Sequence, residues 1–347
     1  MSEPLRPFDP DAAAAPGSGI FGLPFSPEES AVVLLPVPFE ATTSYGGGTA
    51  DGPAAILSAS HQVDLFDRET GKPYESGLSM LEISDTVRAW NDEAKALAAP
   101  VIEAGGAVDE AGEEALRQVN ARCEQMNAWV YEETRRWLSA GKRVGLIGGD
   151  HSTPYGCILA HAEKYPGMGI LHLDAHADLR NAYEGFTWSH ASIMYNVMTR
   201  IPQVGRLVQV GIRDFGEAES RMIDDSAGRI VTFFDADLKA RSFEGHPWAR
   251  VAAEIVEALP QQVYLSFDID GLDPVLCPHT GTPVPGGLSF AEAAFLVGCV
   301  VKSGREIVGF DLNEVAPGPD DEWDGNVAAR LLYKMIGWML RSRREGC

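Results

Sequence analysis

GILHLDAHAD, residues 169–178, runs from a stretch that is apolar but for His172 into Asp174, His176 and Asp178, three polar groups at alternate positions. A short continuous apolar run that ends in polar residues is the pattern of a strand buried on both faces, as a parallel sheet requires. The chain repeats it in AVVLLPVPF (31–39), RVGLIGGD (143–150), RLVQVGIRD (206–214), RIVTFF (229–234), QVYLSFDIDGLDP (262–274) and EIVGFDLNEVAP (306–317). Longer helical patterns lie between these runs, at about 53–61, near 110–141, from Thr153-Pro154 onward, at roughly 189–199, ending near Leu259, at 289–303 and at about 324–342. Strand–helix alternation of this kind predicts an α/β fold with a mostly parallel sheet covered on both faces.

Composition narrows the function. The 347 residues are 45% hydrophobic and 22% charged, in the range of soluble globular proteins. The formal net charge of −22 excludes the basic footprint that nucleic-acid binding needs, and its negative field favours a cationic substrate. No apolar run reaches membrane-span length, so no membrane partner is expected. MSEPLRPFDPDAAAAPGSG lacks a basic start followed by an apolar core, so it does not read as a secretory signal. The 5 cysteines (Cys123, Cys157, Cys277, Cys299, Cys347) are scattered without a CxxC pair, which points to a reducing cytoplasm. With no linker signature after about residue 25, the reading is a flexible N-terminal arm over 1–25 and a single domain over 26–347.

The polar residues follow the strands. Asp150-His151, Asp174-x-His176-x-Asp178, Asp268-x-Asp270 and Glu314 each stand just past an apolar run. In open α/β sheets ligands bind outside the carboxyl ends of the strands, so these groups are predicted to share one crevice. The i, i+2, i+4 spacing on extended chain turns Asp174, His176 and Asp178 to one side. His151, Asp174, His176, Asp178, Asp268 and Asp270 offer carboxylates and imidazoles but no thiolates, unlike a structural zinc site. Such donors suit Mn²⁺, with Fe²⁺, Co²⁺, Ni²⁺ and Zn²⁺ also admissible. Two ions about 3.5–4 Å apart would use all six. His172 shares the parity of the ligands and is read as a core or supporting residue; Asp150 reads as a helix cap or a partner of a ligand. His161, His246 and His279 read as surface or loop residues.

GGDHS (148–152), DAHAD (174–178) and SFDIDGLDP (266–274) resemble the three signature motifs of the ureohydrolases, the family of arginase, agmatinase, guanidinobutyrase, proclavaminate amidinohydrolase, guanidine hydrolase and formiminoglutamase. The resemblance runs from about Val32 to Trp338. It includes PVPFEATTSYGGGTADGPAAI (36–56), and GTPVPGGLS (281–289) is closer to agmatinase-type members than to arginase. It implies a three-layer αβα fold with eight mainly parallel strands and a dinuclear manganese centre, Ni²⁺ being the main alternative metal. By motif, His151, Asp174, Asp178 and Asp268 would hold one ion, and His176, Asp174, Asp268 and Asp270 the other, with Asp174 and Asp268 bridging. Glu314 matches the glutamate that pairs with the substrate guanidinium, Asp178 would steady the attacking oxygen, and His190 matches the histidine that relays protons to the leaving amine. The implied reaction is hydrolysis of a small cationic guanidino compound to urea and an amine by a metal-bridging hydroxide, in a cytoplasmic homotrimer or homohexamer.

The chain also departs from the family pattern. SHASIMYN (189–196) keeps His190 but places Ile193 and Met194 where the family has Pro and an aromatic residue. GIRDFGEAES (211–220) has Gly216 near the acidic residue with which arginase binds the amino-acid head, leaving Glu217 or Glu219 as substitutes. Tyr183, Phe186 and Trp188 in NAYEGFTWS (181–189) read either as a pocket wall for a short or alkylated guanidine or as loop packing. Three further readings stay open: a formiminoglutamase-like enzyme, a free or alkyl-guanidine hydrolase, and a non-catalytic partner subunit of a hetero-oligomer.

Overall fold

The structure, a computed structural model, describes residues 8–15 and 17–342; Cys347 and the first seven residues of the expected arm lie outside them. In chain order the elements are β1 (Val32–Pro36), α1 (Gly52–Ser60), β2 (Leu78–Met80), α2 (Asp85–Glu103), α3 (Glu110–Ser139), β3 (Arg143–Ile147), α4 (Tyr155–Lys164), β4 (Gly169–Leu173), α5 (Ile193–Arg200), β5 (Arg206–Ile212), α6 (Glu217–Asp224), β6 (Ile230–Phe234), α7 (Asp235–Phe243), α8 (Trp248–Glu257), β7 (Gln262–Asp268), α9 (Phe290–Lys302), β8 (Glu306–Asn313) and α10 (Trp323–Arg341). The strands form one 8-stranded sheet in the order β2-β1-β3-β8-β7-β4-β5-β6. Every pairing is parallel, so the sheet is parallel throughout rather than mostly so.

Alternate strand residues feed two cores. Leu34, Leu171, Leu173, Leu265 and Phe267 pack with α1, α8, α9 and α10 on one face. Leu35, Leu146, Ile170, Leu207 and Tyr264 pack with α2, α3, α4 and α5 on the other. Burial on both faces is why these strands lack a polar alternation and read as apolar runs. Side-chain caps fix the long helices: Asp109 Oδ1 accepts from Gly112 N at the start of α3, and Ser289 with Glu292 forms a reciprocal box at the start of α9.

The boundary expected at residue 25 cuts into packed chain, because Ile20, Phe21 and Leu23 are buried in the first core. The single helix expected before Leu259 is two, α7 and α8, parted at Gly245 (φ +84°) and Pro247. Topology decides where chemistry can occur. β3, β8, β7 and β4 are consecutive at the centre of the sheet, so their carboxyl ends open side by side although they lie far apart in sequence.

Candidate metal centre

All six expected ligands and Glu314 leave the carboxyl ends of these four central strands. His151 follows β3 through Gly149, which lies so close to Phe39 O that an added Cβ would collide with that backbone. Asp150, read as a cap or partner, closes this turn by accepting from the Ser152 N–H and hydroxyl. Asp178 (φ 55°) and Glu314 (φ 62°) both adopt the left-handed backbone region, which costs a non-glycine residue about 1–3 kcal/mol and recurs at functional sites.

The donor atoms converge in two groups. His151 Nδ1 lies 3.0 Å from Asp174 Oδ2, 3.2 Å from Asp178 Oδ2 and 3.3 Å from Asp268 Oδ2. His176 Nδ1 lies 3.0 Å from Asp270 Oδ2 and 3.5 Å from Asp174 Oδ1. Asp174 therefore belongs to both groups through its two oxygens. Asp268 joins the first through Oδ2, while its Oδ1 accepts from the Asp270 N–H at 2.8 Å. The groups His151, His172, Asp174, Asp178 and Asp174, His176, Asp270 each could hold a metal ion.

The surroundings fit divalent cations. Asp150, Asp174, Asp178, Asp268, Asp270, Asp311 and Glu314 are all buried, far more negative charge than two imidazoles can balance. Unpaired charges are not stable in such a place. Asp270 Oδ2 is buried and faces His176 Nδ1 at 3.0 Å. Oxygens and nitrogens held at right angles about 2.1 Å from one cation stand about 3 Å apart, the spacing seen around His151 Nδ1.

The ionisable groups shift as this crowding requires. Desolvation, with the Asp270 and Asp174 carboxylates beside it, holds Asp268 well above the carboxylate range. Desolvation and Asp174 push Asp178 up to about 7. Desolvation acts to lower His176, yet Asp270 and Asp174 drive it up to about 12. Glu314 is raised well above its ordinary value by desolvation and by Asp150. Its Oε1 accepts from the His151 N–H at 2.8 Å, and Gly281 packs against its Oε2. Thr280 Oγ1 donates to Glu314 O at 2.7 Å, and Gly46 N donates to Gly281 O at 3.1 Å, so the 43–46 and 280–281 segments wall this carboxyl.

His190 is half-buried in a short turn, 190–192. The rewritten SHASIMYN segment keeps it in place. Tyr195 N donates to Asp178 O and Arg180 N to Ala191 O, which staples the turn to the metal-site loop, while Ile193 and Met194 sink into the second core. Desolvation and the positive charges of His176 and His151 pull His190 down to about 4. Of the aromatic residues named above, Tyr183 stands beside it, 6.3 Å between ring centroids. Phe186 and Trp188 belong to the core rather than a pocket wall; Trp188 packs edge-on to Tyr155 and beneath Arg200.

Neither candidate for an amino-acid contact is free. Glu219 is buried and accepts from Gly216 N and Leu179 N, and exposed Glu217 pairs with Arg221 along α6. Of the histidines expected at the surface or in loops, His161 differs and His279 lies in a turn. His161 is fully buried against Tyr264, and desolvation lowers it to about 4. His279 anchors the segment beside Glu314: its Nδ1 lies 2.8 Å from buried Asp324 Oδ2. Arg213, unremarked in the sequence reading, donates to the carbonyls of Asp270, Leu272 and Val284 and so ties down the loop after β7. No side chain marked these carbonyl contacts in advance.

The family profile described as the arginase family matches residues 30–337. An N(1)-aminopropylagmatine ureohydrolase of Thermus thermophilus is 35% identical over 321 residues, covering 92% of this chain and 94% of that protein. The agmatinase of Chromobacterium violaceum is 29% identical over 328 residues, covering 91% and 85%. The crystal structure of proclavaminate amidino hydrolase from Streptomyces clavuligerus superposes with a TM-score of 0.73 at 23% identity, covering 96% of this chain and 100% of that one, and the architecture is thus arginase-like.

Proposed function

The chain belongs to the arginase family, and on that premise we propose that it hydrolyses an agmatine-type guanidino compound to urea and an amine at a centre holding two Mn²⁺ ions. It is a hydrolase of non-peptide C–N bonds in linear amidines. The observation that carries the reading is the convergence of His151, Asp174, Asp178 and Asp268 beside His176 and Asp270, with Glu314 at the rim. Those six side chains would hold the ions, Ni²⁺ being the alternative to Mn²⁺. Such ions would supply hydroxide at neutral pH, since a divalent cation lowers the pKa of bound water from 15.7 towards about 7.

The chain's own residues do the rest. Glu314, fixed by the His151 N–H on one oxygen, presents the other to the planar guanidinium, and Gly281 leaves room for it. A charge-assisted pair of this kind orients the guanidinium carbon as well as binding it. Asp178, turned inward by its left-handed backbone, steadies the attacking oxygen. Cleavage of the C–N bond then leaves an amine nitrogen that needs a proton. His190, neutral at working pH, gives one from one ring nitrogen while the other takes up a proton from solvent, so the ring returns neutral; Ser189 Oγ stands 3.4 Å from Nδ1. His190→Asn is therefore expected to lower kcat about 10²-fold, the low end for acid–base groups, since a half-exposed site admits water as a poor substitute. Metal content should not change, and an unaltered kcat would remove His190 from the reaction.

Substrate choice follows from what is missing at the arginase position. With Glu217 and Glu219 engaged elsewhere, an amino-acid head gains no free carboxylate from them. An alkyl or aminoalkyl tail does not need one, and the net charge of −22 attracts a polycation. The two enzymes named above act, by their names, on aminopropylagmatine and agmatine. Urea release by metal-loaded protein should be measured on agmatine, N(1)-aminopropylagmatine, arginine, guanidinobutyrate, guanidine, methylated guanidines and formiminoglutamate. One of the first two should lead, with arginine at least about 10²-fold lower in kcat/KM, as for a polar head left without partners. Silence on the whole panel would favour the partner-subunit reading instead. Among the described residues no helix is long and apolar enough to cross a membrane. A cytoplasmic homotrimer or homohexamer completes the proposal, to be checked by sedimentation.

A further inference from the structure

A row of polar side chains crosses the sheet beneath this centre. Thr232 of β6, Gln209 of β5, His172 of β4, Ser266 of β7 and Asp311 of β8 are register partners across five adjacent strands, so all five point to one face of an otherwise apolar sheet. Donation runs inward along it from the β6 end and outward to its β8 end. From one side, Thr232 Oγ1 donates to Gln209 Oε1 at 3.0 Å, and Gln209 Nε2 faces both Ala177 O (2.8 Å) and His172 Nδ1 (3.0 Å). From the other, Ser266 Oγ donates to Asp311 Oδ1 at 2.8 Å, and Asn313 Nδ2 reaches the same oxygen at 2.6 Å. Ser266 Oγ also lies 3.0 Å from His151 Nε2.

These directions leave little choice. The Gln209 amide is oriented by an acceptor on its nitrogen and a donor on its oxygen, so His172 Nδ1 must accept. Its Nε2 then carries the proton and donates to Asp174 Oδ2, 2.8 Å away. The single Ser266 proton is committed to Asp311, so Ser266 can only accept from His151. Nε2 of His151 therefore carries a proton, and Nδ1 is the nitrogen turned towards the three carboxylates.

We infer that this row sorts the two neighbouring imidazoles, 5.2 Å apart, into opposite roles: His151 is made a metal ligand by Ser266 and Asp311, and His172, despite equal proximity to Asp174, is made a donor that orients the bridging carboxylate. Asp311, Ser266 and Gln209 are positioning residues. The inference rests on the dinuclear reading above and adds which residues hold its geometry.

The test is Mn²⁺ titration of the full-length protein by calorimetry and EPR, with Asp311→Ala and Asp311→Asn beside wild type. Asp311→Ala removes the acceptor that commits the Ser266 proton, and one of the two ions should bind about 10–100-fold more weakly, the usual cost of losing a partner behind a metal-ligating histidine. The EPR signal of the coupled pair should give way to that of a lone Mn²⁺. Asp311→Asn keeps an acceptor towards Ser266 and turns its NH₂ to the side of the Tyr264 hydroxyl, so it should bind both ions within about threefold of wild type. A folded Asp311→Ala that keeps both ions at wild-type affinity overturns the inference, as does an Asp311→Asn that binds as poorly as Asp311→Ala. If Asp311→Ala does not fold, as judged by circular dichroism, Ser266→Ala takes its place with the same two outcomes. A wild-type protein that takes up no pair of ions brings down the dinuclear reading and this one together; normal wild-type binding with unchanged variants brings down this one alone.

Discussion

Asp174→Ala is expected to abolish urea release, by at least about 10⁴-fold in kcat, and to leave less than one tightly held ion per chain. The size of the effect follows from the sharing of one side chain. Asp174 Oδ2 meets His151 Nδ1 at 3.0 Å and His172 Nε2 at 2.8 Å, and Oδ1 faces His176 Nδ1 at 3.5 Å. Removing it deprives both donor groups at once and leaves the His172 N–H in the core without an acceptor. A buried donor without a partner costs about 1–3 kcal/mol. Elemental analysis after dialysis reads the metal loss directly. Thermal unfolding gives a second check. Ions that bind only the folded chain raise stability by about 4 kcal/mol at a thousandfold excess over Kd, so Mn²⁺ should raise the Tm of wild type by several degrees and that of Asp174→Ala hardly at all. Wild-type turnover by Asp174→Ala, or by chelated wild type, would be incompatible with the mechanism.

The contrast between Asp174 and its supports also shows how far the sequence can be read. Asp174, His176 and Asp178 are legible because local spacing on extended chain fixes their common side, and because buried parallel strands announce their carboxyl ends by a break in an apolar run. The four-strand convergence is legible for the same reason: topology gathers strand ends whatever the distance along the chain. What is not local is not legible. The sequence separates His151, just past an apolar run, from His172 within one, but not what holds each ring: Ser266, Asp311 and Gln209 are all distant in sequence. His161 reads as a surface or loop residue, yet it lies on α4, which packs into the second core, and the ring is buried on Tyr264. Phe186 and Trp188 sit in a loop next to the motif, but composition cannot say which side of a loop faces the core. Among secondary elements, β2 spans only Leu78–Met80 at the sheet edge, too short for a periodic signal, and α2 carries Pro100 within its last turns, which masks its pattern.

Glu314→Gln isolates the substrate contact from the metal contact. The substitution keeps the side chain's shape and the acceptor for the His151 N–H, now 2.8 Å from Oε1. It replaces the other oxygen, beside Gly281, with an NH₂ group. A guanidinium carries only donors there, so an attractive charged pair becomes a donor facing a donor. Losing one member of a buried hydrogen-bonded charge pair costs about 2–5 kcal/mol. The expected fall in kcat/KM is accordingly about 10²–10³-fold. Because Glu314 also orients the reacting carbon, kcat should drop along with binding, rather than KM rising alone. Metal content and the Mn²⁺-dependent rise in Tm should match wild type, which separates this variant from Asp174→Ala. The competing view, in which Glu314 only props the His151 turn, predicts that Gln serves equally well, since the prop is preserved. Steady-state kinetics on the best substrate of the panel decides between them: a kcat/KM within threefold of wild type would move guanidinium recognition to another group.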